Sequence, residues 1–109
     1  MTTGKEHKTE KNEDSRSAYR EKREAQIQEM AARLDLWEAK AKKARADARI
    51  RAVEEVGKLR GKLETARLKV SLLQDTGETA WEDLRKGVES AMEDLRSAFK
   101  RAASRFEAN

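Results

Sequence analysis

Gln74-Asp75-Thr76-Gly77-Glu78-Thr79 interrupts a chain otherwise written in helical periods, and its reading decides the fold. Gly77 suits a left-handed cap, because a residue without Cβ adopts that backbone at little cost. Thr79-Ala80-Trp81-Glu82 has the spacing of a capping box, in which Thr79 and Glu82 satisfy each other's free backbone N–H groups. Two helices are therefore expected, 16–75 and 80–106, joined by a turn at 76–79.

Upstream of the turn, the apolar positions run Ile27, Met30, Leu34, Trp37, Ala41, Ala44, Ala48, Ala52, Val56, Leu59, Leu63, Ala66, Val70 and Leu73. Steps of three and four mark one face of a long helix, with heptads at both ends. Three successive fours between Ala41 and Val56 insert a stutter, where a supercoil should relax. Glu29/Arg33, Glu38/Lys42, Asp47/Arg51 and Glu54/Lys58 add helix-stabilising i,i+4 pairs. Gly57 and Gly61 weaken the helix by about 1 kcal/mol each relative to alanine. They are read as allowing close packing or mild bending.

Downstream, Trp81–Ala91 and Met92–Ala102 form two eleven-residue repeats. The stripe Trp81, Leu84, Val88, Met92, Leu95, Phe99, Ala103 and Phe106 follows that period, which favours a straight or slightly right-handed helix. Folding the chain back at Gly77 sets Leu84 against Val70, Ala91 against Leu63, Leu95 against Leu59 and Phe106 against Ala48. Apolar meets apolar throughout. The expected fold is all-α: a long-helix antiparallel coiled-coil hairpin assembling into an oligomeric helical bundle.

The need for assembly follows from length. The second helix reaches back only to about Ala48, so Ile27, Met30, Leu34, Trp37, Ala41 and Ala44 lack cover and form the expected intermolecular interface. A dimer of hairpins is the simplest way to bury them. A break near residues 38–46 would instead give a monomeric three-helix bundle.

Composition agrees with helices. Of 109 residues 42% are charged, with no proline or cysteine. Residues 1–15 mix Lys5, Lys8 and Lys11 with Glu6, Glu10, Glu13 and Asp14, and are expected to be a disordered charged tail. Residues 107–109 are expected to fray. No apolar run suits a signal peptide or membrane span, and the absence of cysteine fits a reducing compartment, so a cytoplasmic location is expected.

Chemistry finds little footing. His7 is the only histidine, and no metal-ligand cluster, cofactor motif or nucleophile–base pair is visible. Gly57-Lys-Leu-Arg-Gly61 lies inside a helical pattern without the strand that a phosphate loop requires. No enzyme is expected, and no cofactor.

Residues 16–74 carry sixteen Lys/Arg against nine Asp/Glu, densest at Lys40, Lys42, Lys43, Arg45, Arg49 and Arg51. A solvated helix face accounts for them. Phosphate contact with nucleic acid is the sharper reading, and no aromatic interleaving supports it. The second helix, with Arg85, Arg96 and Arg105 flanking its stripe, also fits an amphipathic helix on an anionic lipid surface.

The stretch GETAWEDLRKGVESAMEDLRSAFKRAASRF, residues 77–106, resembles a family of short bacterial coiled-coil stress-response proteins. LDLWEAKAKKARADARI, residues 34–50, is similar to that family too, and the likeness spans about residues 19–106. The resemblance implies a cytoplasmic helical protein and supplies no catalytic residues. A self-associating, non-enzymatic coiled-coil protein is the expected function. A reversible binder of anionic lipid surfaces is the alternative.

Overall fold

A computed structural model describes the backbone of residues 3–74 and 76–107, with side chains from Ser15 onward. The fold is all-α. Its order is α1 (Thr3–Lys43), α2 (Ala46–Ser71) and α3 (Glu78–Phe106), in a rod 69 Å long and 23 by 17 Å across.

α2 and α3 form the antiparallel hairpin expected from the two stripes. Lys62 Nζ meets Asp94 at 2.7 Å and Arg105 meets Glu55 at 2.8 Å, close to the register that folding at Gly77 predicts. Val56, Leu59, Leu63, Ala66, Val70 and Leu73 are buried from α2 and its following turn, as are Val88, Met92, Leu95, Ala98, Phe99 and Ala102 from α3. Ala52, Trp81, Leu84, Ala103 and Phe106 pack half-buried against them, whereas Ala48 stays exposed. Matching positions of the two repeats therefore face inward together.

The long first helix is not continuous. It breaks at Ala44–Arg45, where Arg45 turns extended (φ −62°, ψ 157°) and begins α2. Neither glycine nor proline marks the break, which falls inside the stutter. Its cause is tertiary: folding back buries Ile27, Leu34, Trp37 and Ala41 against α2 and α3. Each fully buried large side chain contributes about 1.5–3 kcal/mol, more than the few backbone hydrogen bonds lost at a helix end. Charge eases the break. Lys40, Lys42 and Lys43 sit at the negative end of α1, and Asp47 at the positive end of α2.

The chain start and the turn also differ from expectation. α1 begins at Thr3, so a helix replaces the expected disordered tail; Met1 and Thr2 lie outside the described residues. Adding residues to an established helix avoids the cost of nucleation, and Glu and Lys propagate it well. α2 ends at Ser71 rather than at residue 75; Asp75 lies outside the described residues. Thr76 Oγ1 donates to the Leu72 carbonyl at 2.6 Å and closes that end. Gly77 is extended (φ −70°, ψ 168°) and serves as the N-cap of α3 instead of a left-handed cap. Thr79 and Glu82 consequently lie inside α3, where Glu82 pairs with Arg85 at 2.9 Å rather than forming a capping box. Glycine is accepted at an N-cap nearly as readily as a polar residue, which lets the helix start two residues early. Of the expected frayed end, Glu107 is held by α1, as described below; Ala108 and Asn109 lie outside the described residues.

Candidate functional site

The stripe expected to face another chain lies in this chain's own core. Ile27, Leu34, Trp37 and Ala41 are buried, Met30 packs against them, and Ala44 is half-buried at the corner between α1 and α2. The missing cover comes from α2 and α3, once the break turns α1 back alongside them. The sequence signal behind that expectation was correct in marking apolar residues that need burial. It named the wrong partner.

Because the bundle runs up, down and up, α1 lies parallel to α3, and two polar clasps join them. Near the turn, Tyr19 donates to Glu89 at 2.5 Å and Arg23 donates to the same carboxylate at 2.6 Å. Arg23 also stacks over the Tyr19 ring, and its Nε is buried without a partner. The hydrogen bond from Tyr19, opposed by desolvation and helped by Arg23, holds Glu89 below the usual carboxylate range. Desolvation, then the Glu89 contact, pushes Tyr19 upward. At the other end, Arg33 and Trp37 donate to Glu107, and Lys40 donates to the Phe106 carbonyl. These clasps fix the register of helices and hold no reactive group in a cleft.

An open groove of about 780 Å³ lies where α1 turns into α2. Ala44, Ala48 and Ala52 are too small to fill the space beside Phe106, and Lys40, Arg51 and Arg105 rim it. Around this pole Lys42, Lys43, Arg45 and Arg49 are exposed, together with Lys100 and Arg101 of α3. Lys42 is paired with Glu38, and Arg105 with Glu55. The densest basic cluster of the sequence, Lys40 to Arg51, thus lies at one end of the rod, joined there by Lys100, Arg101 and Arg105.

A second apolar stripe, absent from the sequence reading, runs along the outer face of α2. Ile50 and Leu68 are 61% and 62% exposed, Val53 44% and Leu72 52%. Eighteen residues make five helical turns, so Ile50 and Leu68 point the same way. Gly57 and Gly61 lie between them on that face, exposed, and a Cβ on either would meet nothing within 4 Å. The inward residues Leu59, Leu63 and Ala66 occupy the opposite side of the helix. The stronger inward pattern masked this stripe in the sequence, although its own helical spacing is visible there. The glycines do not break α2, and both are exposed rather than packed inside the bundle.

Among the described residues no group of three or more His, Cys, Asp and Glu side chains is placed to hold a metal. His7 belongs to the stretch whose side chains are not described. No described helix is long and apolar enough to cross a membrane. The class defined here is a three-helix all-α bundle with an apolar outer face on its middle helix. Comparisons with family models, with curated proteins and with solved structures find no match.

Proposed function

We propose that the chain is a non-enzymatic helical interaction protein that works by self-association, with two bundles joining side by side. One observation carries this reading: Ile50, Val53 and Leu68 of α2 and Leu72 just past its end stand exposed on a single face. Scattered exposed leucines are ordinary, and Leu36 is one. Two aliphatic pairs on one face, with only glycine between them along its centre, are different, because grouped apolar surface normally marks a contact. Light scattering after size exclusion tests the reading. Apparent mass should rise from 12.5 kDa towards twice that value between micromolar and millimolar protein. A constant monomer mass would overturn it. A cytoplasmic, stress-related setting belongs to the proposal through the family resemblance. It is tested by following abundance of the protein under heat, osmotic and oxidative shock.

The basic pole supports a second reading, contact with an anionic lipid surface. The lipid contact expected from the α3 stripe would require the bundle to open, since Val88, Met92, Leu95 and Phe99 are buried. The exposed cations at the corner need no such change. Co-sedimentation with anionic vesicles that vanishes in high salt or with neutral vesicles is the expected result. Binding indifferent to salt would sink this reading.

A further inference from the structure

Resting on the self-association reading, we infer that two copies meet through α2 in antiparallel order, crossing at Gly57 and Gly61. A two-fold interface requires that when residue i meets j, j also meets i. The outer face of α2 has this property about the level of Leu59. Ile50 falls opposite Leu68, Gly57 opposite Gly61, and Ala46 opposite Leu72. These apolar and small residues answer one another, while Val53 falls opposite Thr65. Without Cβ atoms at 57 and 61, the two helix axes can approach closely at the crossing, which lets the flanking aliphatic side chains interlock.

Charge selects the direction. Along one flank of the stripe, Asp47 and Glu54 lie in the first half of α2, whereas Lys62 and Lys69 lie in the second. Antiparallel pairing sets Asp47 against Lys69 and Glu54 against Lys62, which also holds Asp94 of its own chain at 2.7 Å, and the symmetry provides each pair twice. Parallel pairing would bring Lys58 beside Arg60 and Lys69 beside Arg67. Within the antiparallel pair, Lys58 meets its own copy across the axis, and its long arm can carry the charge to solvent. On the other flank Arg49 faces the Glu64–Arg67 ion pair.

The strip is narrow. A helix of 26 residues spans about 39 Å, and a contact about 10–12 Å wide covers roughly 400–500 Å² per copy. That is the small, transient class of interface. Association in the micromolar range or weaker is expected.

The absence of cysteine from the sequence makes the test direct. Ile50→Cys and Leu68→Cys variants are prepared separately, then oxidised mildly, alone and mixed. In the antiparallel pair, like cysteines stand about 27 Å apart and cannot join. The mixture should therefore yield disulfide-linked heterodimer while each variant alone yields little. Homodimer from each variant alone overturns the antiparallel order. No cross-link in a sample that light scattering shows to be dimeric overturns the α2 face and leaves self-association standing. Monomer throughout overturns both. As an independent check, Ile50→Glu should lower association at least tenfold with helix content unchanged. Ile50→Glu with Leu68→Lys should restore it, because each Glu then meets a Lys. Failure of that rescue overturns the pairing.

Discussion

Trp37 Nε1 donates a hydrogen bond to the carboxylate of Glu107 at 3.0 Å, tying the last turns of α1 to the end of α3. The indole is buried, stacks on Phe106 at 5.3 Å and leans on Phe99 at 5.1 Å. Arg33 lies over the ring, 5.0 Å from its centre, and pairs with the same carboxylate at 3.1 Å. A residue expected to bind another chain is thus satisfied on every side by its own. The chain's own core holds this end of the molecule.

Two neighbouring leucines separate those alternatives. Leu34 is fully buried, whereas Leu36 is 66% exposed. Leu34→Ala should destabilise the protein by about 2–5 kcal/mol, and Leu36→Ala by no more than about 0.5 kcal/mol. Urea melts at concentrations where the protein is monomeric measure both. Equal, small effects would show that α1 is not packed as described.

Glycine substitutions should move stability and association in opposite directions. Gly57, Gly61 and Gly87 all have open space where a Cβ would stand and all lie in helices. Alanine at each should stabilise the fold by about 0.5–1 kcal/mol, mainly by restricting the unfolded chain. At 57 and 61 the same change should weaken self-association, and at 87 it should leave it unaltered. Thermal melts and light scattering on the same samples read the two effects separately.

Acid should loosen the bundle through its clasps. Glu89 is lowered by its hydrogen bond from Tyr19, Glu38 by those from Arg60 and Lys42, and Glu107 by Arg33. A carboxylate with a lower value folded than unfolded stabilises the fold above its unfolded value, and that contribution is lost as pH falls through the folded one. The melting temperature should therefore begin to drop below about pH 5 and continue down through the lowered values. Glu89→Gln should remove part of that slope. Tyr19 has the opposite sign. Its raised value stabilises the fold below its ordinary 10.0, and the gain disappears as alkali ionises the phenol in the folded state.

The groove at the α1–α2 corner should accept bulk. Ala48 is exposed beside Phe106 over open space. Ala48→Leu can cover that ring without displacing packed atoms and should stabilise the protein by about 1 kcal/mol. A loss of stability on thermal melting would mean that the groove is already filled.

Both principal stripes and the α2–α3 register were legible in the sequence because strong helical periodicity says which residues must be covered. The break at Ala44–Arg45 was legible only as the alternative of a break near residues 38–46, because no local breaker makes it. Lys40, Lys42 and Lys43 before it and Asp47 after it are its only local trace, and they resemble an ordinary charged helix surface. Gly77 was recognisable as punctuation, but glycine serves either a helix end or a helix start, and packing made it the latter. The outer stripe was missed for a different reason. Ile50, Val53, Leu68 and Leu72 are too sparse to compete with the inward pattern until the inward residues are taken away.

The placement of the two tryptophans gives the molecule a separate optical reporter at each pole. Trp37 lies dry among Phe99 and Phe106, while Trp81 sits half-buried beneath Arg16 and edge-on to Tyr19 at 5.9 Å. Opening at the α1–α2 corner would redden the emission of one indole, and fraying at the α2–α3 turn that of the other. Single-tryptophan variants would then show whether the rod unzips from one end or melts as a unit.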